Sequence, residues 1–210
     1  MTRSPRAFVA VLACLLVAAC SSGSPGPSGS FSGPGAQAQA GAVHVDVDTP
    51  QLRHLKAAAG VRPCRAGTGA NDLPRVTLPC LGGGRPVRLD RLHGPLVVNL
   101  FAQWCGPCRA ELPYFEELHR KGRGTVGVLG VDYLDTRPDK ALELVRDTGV
   151  TYPLVADPGG ALRTDLRIRG LPGVAFVGAD GSVQVQFGVV DSYAELRAMT
   201  EKQLGVRLPS

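Results

Sequence analysis

Two cysteines spaced three apart, Cys105 and Cys108, carry the strongest chemical signal in this chain of 210 residues. They lie in Trp104-Cys105-Gly106-Pro107-Cys108, after the largely apolar run from Pro95 to Phe101 and before a helix-like stretch. Cysteines three apart at a helix start share one face and lie within bonding reach. The first meets free backbone N–H groups and the positive end of the helix dipole, which favour a thiolate. Such a setting moves a thiol pKa from about 8.5 into the range of about 3.5–7.5. A thiolate that attacks a disulfide, with a second thiol to resolve the intermediate, is the minimal apparatus for thiol–disulfide exchange. Cys105 is the candidate nucleophile and Cys108 the resolving thiol. A bare CxxC is also half of a zinc site, and a structural pair is a third reading. No second CxxC or HxxxH accompanies it; the other cysteines stand alone at 14, 20, 64 and 80. His44, His54, His93 and His119 form no ligand pattern by spacing, so no metal or cofactor is expected.

The neighbours of the pair extend the site. Trp104 would pack over the disulfide as an apolar platform; an ordinary core tryptophan is the alternative. Glu111, three residues after Cys108, falls on the same helix face. It is either a proton acceptor for the resolving thiol or a carboxylate favourable to a helix start and nothing more. Pro113 would kink this helix.

The run Val97-Val98-Asn99-Leu100-Phe101-Ala102, the cysteine turn and Arg109-Ala110-Glu111-Leu112-Pro113 resemble the thioredoxin-like proteins of the TlpA/ResA/DsbE type. The resemblance runs from about Leu73 to Leu204 and includes Gly170-Leu171-Pro172. It implies a thioredoxin fold of class α/β, with an N-terminal β-hairpin extension and a central αβ insertion. It also implies an extracytoplasmic, membrane-anchored thiol–disulfide oxidoreductase. By resemblance, Leu171–Pro172 is a cis bond facing the cysteines, and the Leu171 backbone pairs with an extended substrate segment. Thioredoxins proper carry a buried aspartate where this chain has Asn99; the resembling family has a glutamate at the position of Glu111. Gly173-Val174 departs from the usual hydroxyl residue after the proline, and Gly173 is expected to loosen that loop.

Cys64 and Cys80 precede the catalytic region. Two leftover cysteines in an oxidising compartment are expected to pair as a structural disulfide. A second redox relay is the alternative.

The N-terminus reads as a targeting segment: Arg3 and Arg6, then an apolar run from Ala7 to Ala19, too short to span a bilayer. It ends in Val17-Ala18-Ala19-Cys20, which resembles a bacterial lipobox with Cys20 as the lipidated residue. A plain cleaved signal and an uncleaved anchor remain as alternatives. The expected organisation is a signal peptide at 1–19 and a flexible Ser/Gly/Pro/Ala/Gln tether at 20–41. An N-terminal extension with a short helix follows at 42–72, then a thioredoxin-like domain at 73–210. Without Arg3 and Arg6 the chain holds 21 basic residues against 18 acidic. They are scattered without aromatic interleaving, so nucleic acid is not an expected partner.

Patterning places the remaining elements. Thr49-Pro50 opens a short helix ended by Gly60. Arg75–Leu78 and Pro86–Leu89 form a hairpin. Strands are expected at Leu96–Ala102, Thr125–Val131 and Tyr152–Ala156, and helices at Gly106–Lys121, Pro138–Thr148 and Gly160–Leu166. A second hairpin, Val174–Val177 and Val183–Phe187 around Asp180-Gly181, precedes a last helix at Asp191–Leu204.

The expected partners are exported cysteine-containing proteins, among them apocytochrome c during cytochrome c maturation. A membrane electron donor would restore the dithiol. Two rivals are weighed against this. A peroxiredoxin-type antioxidant protein needs a lone peroxidatic cysteine with a threonine upstream. A copper chaperone of related fold needs cysteines four apart plus a distant histidine. The CxxC fits neither. The same residues serve disulfide reduction and disulfide donation, and the potential sets the direction.

Overall fold

The computed structural model describes residues 44–209. The expected signal peptide, Cys20 and the tether lie outside the described residues. Among the described residues, four α-helices and seven strands are ordered around one five-stranded sheet.

Helix α1, Pro50–Ala58, begins where the sequence places it: the Thr49 hydroxyl accepts the Leu52 N–H at 3.2 Å, and Pro50 occupies the first turn. Strands β1, Thr77–Leu78, and β2, Val87–Arg88, pair antiparallel as the first hairpin. Strand β3, Leu96–Phe101, is buried along its whole length and lies at the centre of the sheet. Helix α2, Gly106–Lys121, comes next and contains Pro113. Strand β4, Gly127–Tyr133, runs parallel to β3, as a strand–helix–strand crossover requires.

Helix α3, Pro138–Asp147, leads to β5, Leu154–Asp157, parallel to β4 at the sheet edge. Strands β6, Gly173–Val177, and β7, Val183–Phe187, form the second hairpin, with β6 antiparallel to β3. The sheet order is β5-β4-β3-β6-β7. Helix α4, Tyr193–Leu204, is capped by Ser192, whose hydroxyl accepts the Glu195 N–H, and stops at Gly205 with φ of 65°.

Alternation along β3 divides the core. Val97 and Phe101 join the apolar faces of α2, α3 and α4, through Leu112, Phe115, Leu142 and Leu196. Leu96, Val98 and Leu100 join the first hairpin and the segment after β5, through Leu78, Leu89, Leu162 and Ile168. A strand apolar on both faces can only sit between two such layers. Fully burying each of these side chains is worth about 1.5–3 kcal/mol, so the end of β3 is a rigid base for the cysteine turn.

Three expectations are corrected. Residues 161–167 are a series of turns with no α-helix; Gly159, Gly160 and Arg167, the last at φ of 51°, break the run. Strand β4 lies two residues further along than the apolar run suggests, because Thr125 and Val126 both turn back onto Gly122. Gly173 is no loose loop residue. It pairs with Leu100 on one side and Phe187 on the other, and an added Cβ would stand 2.9 Å from the Phe187 ring.

Candidate active site

The end of β3 delivers the cysteine turn. Cys105 is the N-cap of α2, with extended backbone (φ −83°, ψ 102°). Its Sγ accepts the Cys108 N–H at 3.3 Å, the place a capping serine oxygen would take. The pair is bonded as a disulfide with Cα atoms 5.3 Å apart. Cys105 is 5% exposed and Cys108 1%, so the first sulfur is the more accessible one.

Trp104 is 55% exposed, which removes the reading of a core tryptophan. Its indole N–H donates to the Leu134 carbonyl at 3.2 Å, pinning the cysteine turn to the segment after β4. Leu171–Pro172 is a cis bond, and β6 leaves directly from Pro172. Trp104 and Leu171 line one groove of about 320 Å³.

Glu111 is 1% exposed, one turn beyond Cys108. Its Oε1 accepts the Val190 N–H at 2.6 Å, while Oε2 has no partner. Burial pushes this carboxyl up to about 7; the Val190 hydrogen bond opposes the rise, and Asp191 and Glu195 add to it. Asn99, also buried, donates to the Tyr152 hydroxyl at 3.2 Å. An amide bonded in this way takes no proton, which leaves Glu111 as the acid on the Cys108 face of α2.

Two further carboxyls escaped the sequence reading. Asp132 in β4 is buried beside Phe101 in the parallel register, at the sheet end that bears the cysteines. Burial holds it well above the usual carboxylate range, and Asp135 adds to this. Asp135 accepts the Gln103 N–H at 2.7 Å and the Arg137 N–H at 2.9 Å, so one carboxylate ties the cysteine turn to the start of α3. The available signal was an acid inside an otherwise apolar strand, Leu129-Gly130-Val131-Asp132-Tyr133, since buried acids are rare without a role.

A cavity of about 600 Å³ lies elsewhere. It sits among Arg62, Leu96, Gly127 and Pro153, at the starts of β3, β4 and β5, and includes neither Cys105 nor Cys108.

The sequence signature of the AhpC/TSA family matches residues 70–186, a span that holds both cysteines of the turn, Glu111 and the cis Leu171–Pro172 bond. The chain belongs to the AhpC/TSA family. Among curated proteins it is 34% identical to the thiol:disulfide interchange protein CycY of Rhizobium leguminosarum bv. viciae, over 62% of this chain and 68% of that one. It is 36% identical to the thiol:disulfide interchange protein DsbE of Vibrio cholerae, over 43% of this chain and 47% of that one, about half its length. Among solved structures, MTB dsbF superposes with a TM-score of 0.56 at 26% identity, over 62% of this chain and 98% of that one. The family, the thioredoxin fold and the helix-start dithiol agree. This AhpC/TSA member is a thioredoxin-like thiol–disulfide oxidoreductase of the interchange-protein kind.

Cys64 and Cys80 are bonded, with Cα atoms 6.0 Å apart. Cys80 bridges to Val155 at the edge of β5, and Lys56 Nζ contacts its sulfur at 2.9 Å while donating to the Gly83 carbonyl at 2.7 Å. The bond therefore fastens the residues before the first hairpin to the sheet edge.

Proposed function

We propose that this protein reduces disulfides in exported proteins, with Cys105 as nucleophile and Cys108 as resolving thiol. The Cys105 thiolate attacks one sulfur of a substrate disulfide. A mixed disulfide forms and one substrate thiolate leaves. The Cys108 thiolate then attacks Cys105 Sγ, releasing the second substrate thiolate and leaving the protein pair oxidised. The substrate gains two electrons, and its two thiolates take up two protons. Glu111 accepts the Cys108 proton, as a buried carboxyl with a pKa of about 7 is suited to do near neutrality. Leu171 and Pro172 hold the substrate segment by its backbone, and Trp104 borders it. The observation that carries this reading is Cys105 at the N-cap of α2, its sulfur already accepting a backbone N–H where a thiolate would form.

The setting we propose is extracytoplasmic, with Cys20 lipidated and the protein held to the cell membrane. Re-reduction would come from a membrane electron donor. Apocytochrome c during cytochrome c maturation is the substrate class the resemblance suggests. The copper-carrier rival finds no support in side-chain placement: among the described residues no three His, Cys, Asp or Glu side chains converge as a metal site requires.

Purified protein should reduce insulin disulfides, and Cys105→Ser should abolish that; retained activity would remove Cys105 as nucleophile. Cys108→Ala should accumulate mixed disulfides whose partners name the substrate. Wild type should carry acyl chains on Cys20 and partition with membranes. A Cys20→Ser protein with the same N-terminal mass and partitioning would end the lipoprotein reading.

A further inference from the structure

The groove beside Trp104 and Leu171 does not end there. A second lobe of about 470 Å³, lined by Leu166, Arg167 and Phe187, shares Arg169 with the first. Through Arg169 the two lobes adjoin as a trough that extends from Trp104 to Phe187 on the outer strand β7. Apolar side chains and arginines make up most of its lining. Of the three large apolar side chains exposed among the described residues, Trp104 borders the first lobe and Phe187 the second. Isolated exposed apolar residues are ordinary; two along one trough at a reactive centre are a docking feature.

The charge is predominantly positive. Arg163 and Arg169 line the first lobe, and Arg167 and Arg169 the second. Among the described residues none of these three arginines has a carboxylate within 4 Å. Asp157, near in sequence, is occupied by the Ala161 and Leu162 N–H groups at 2.7 and 3.0 Å. Asp165 alone stands on the trough wall with them. Arg109, exposed on α2 one residue past Cys108, adds a fourth positive charge on the cysteine side.

Backbone conformation marks the same place. Among the described residues, only Leu134 (φ 50°) and Arg167 (φ 51°) are non-glycine residues in the left-handed region, and each lines one lobe. Side chains adopt that region reluctantly, and such residues cluster where a surface is held for binding. The turn at Leu134 presents the carbonyl that fixes the Trp104 indole.

We infer that this trough selects substrates whose reactive cysteine lies in an extended segment with an apolar neighbour and flanking acidic residues. The inference rests on the thiol–disulfide reading above and adds the chemistry of the substrate. The apolar side chain enters between Trp104 and Leu171, and the carboxylates meet Arg163, Arg167 and Arg169. Arginine pairs with carboxylates in a planar, two-pronged geometry, which suits it to this task over lysine.

The test uses the purified dithiol protein and three disulfide-bonded peptides identical around Phe-Cys except for four flanking residues, which are all Glu, all Gln or all Lys. KM and kcat of reduction are measured at low salt and at 0.5 M salt. The expected result is a KM about tenfold lower for the Glu peptide than for the Lys peptide at low salt, narrowing to about twofold at high salt. The R163E/R169E double variant should reverse the order, and R163Q/R169Q, a gentler change should the first fail to fold, should erase the preference. Equal KM values for the three peptides in wild type, or an unchanged order in the variants, would overturn the inference while reduction of all three leaves the oxidoreductase reading standing. Failure to reduce any peptide would strike that reading itself. Binding to phosphatidylglycerol vesicles that the double variant abolishes, without peptide preference, would assign the arginines to a lipid surface and overturn the inference as well.

Discussion

The described residues hold two disulfides of nearly equal burial, and they are built for different ends. Cys105 and Cys108 are separated by three residues and Cys64 and Cys80 by sixteen. Exposure does not tell them apart: each has one sulfur-bearing residue at about 5% and one at 1%. The difference lies in what surrounds them. At Cys105 the N-terminus of α2 directs the Cys108 N–H at the sulfur, and the exposed Trp104 just before it lines a groove together with Leu171 of the cis Leu171–Pro172 bond. At Cys80 the sulfur is enclosed by the first hairpin, the β5 edge and the Lys56 side chain. A thiol needs access and a stabilised thiolate to exchange; a closed loop needs neither to restrict the unfolded chain. Burial of a cysteine is thus a poor guide to its role, and its approach path a better one.

The strongest way to break this contrast is to delete each bond in turn. Loss of Cys105 should abolish insulin reduction. Joint replacement of Cys64 and Cys80 by serine should leave turnover within a few-fold but cost about 3 kcal/mol of stability, or roughly 6–12 °C in Tm for a domain of this size. Calorimetry beside the turnover assay checks both. A double variant that loses turnover while keeping its Tm would make Cys64–Cys80 a second relay.

Glu111 sharpens the catalytic side. Glu111→Gln should slow resolution of the mixed disulfide by about 10–10⁴-fold, read by stopped flow. In wild type the rate should rise with pH through about 7, and that inflection should vanish in the variant. Stability should move the other way. The folded state holds the Glu111 proton up to about 7, whereas the unfolded chain releases it near 4.5. Wild-type stability therefore falls as pH rises across that window, by about 3 kcal/mol at most. Glu111→Gln should flatten the fall. Equal rates and overlaid pH profiles would leave Glu111 as a packing residue with solvent as the base.

Asp135 tests how the turn is held. Asp135→Asn cannot accept both the Gln103 and Arg137 N–H groups as the carboxylate does. The expected loss is about 2 kcal/mol, with a changed alkylation rate at Cys105 in the reduced protein. An unaltered alkylation rate would confine Asp135 to fold support.

The smallest effect is at Gly173. Gly173→Ala places a Cβ against the Phe187 ring, which is partly exposed and can swing outward. The cost should be about 1 kcal/mol, with KM for the acidic peptide raised because Phe187 lines the trough. An unchanged KM would remove Phe187 from substrate contact.

Elements with local causes were legible in the chain. Thr49-Pro50 and Gly60 mark the ends of α1 through hydrogen bonds and a backbone angle that the segment itself supplies. The run from Leu96 to Phe101 reads as a buried strand because it is short, rich in β-branched and aromatic residues and largely apolar on both faces. The two cysteines declare a helix-start dithiol through their spacing, their place between an apolar run and a helix-like stretch, and the lack of a second CxxC. Residues 161–167 misled because their apolar spacing is helical while the glycines before them and the left-handed Arg167 are not. The remaining properties were settled by folding, because they belong to contacts between distant segments. Glu111 gains its raised pKa from the apolar layer that excludes water and from Asp191 and Glu195, about eighty residues away, with Val190 opposing them. Asp132 and Asp135 reach the cysteine turn through the β3–β4 register. The arginines after β5 become a trough only when that segment folds beside Trp104 and Phe187. Hydrogen bonds and φ angles within a few residues are written in the local sequence; desolvation and charge proximity depend on what the fold brings near.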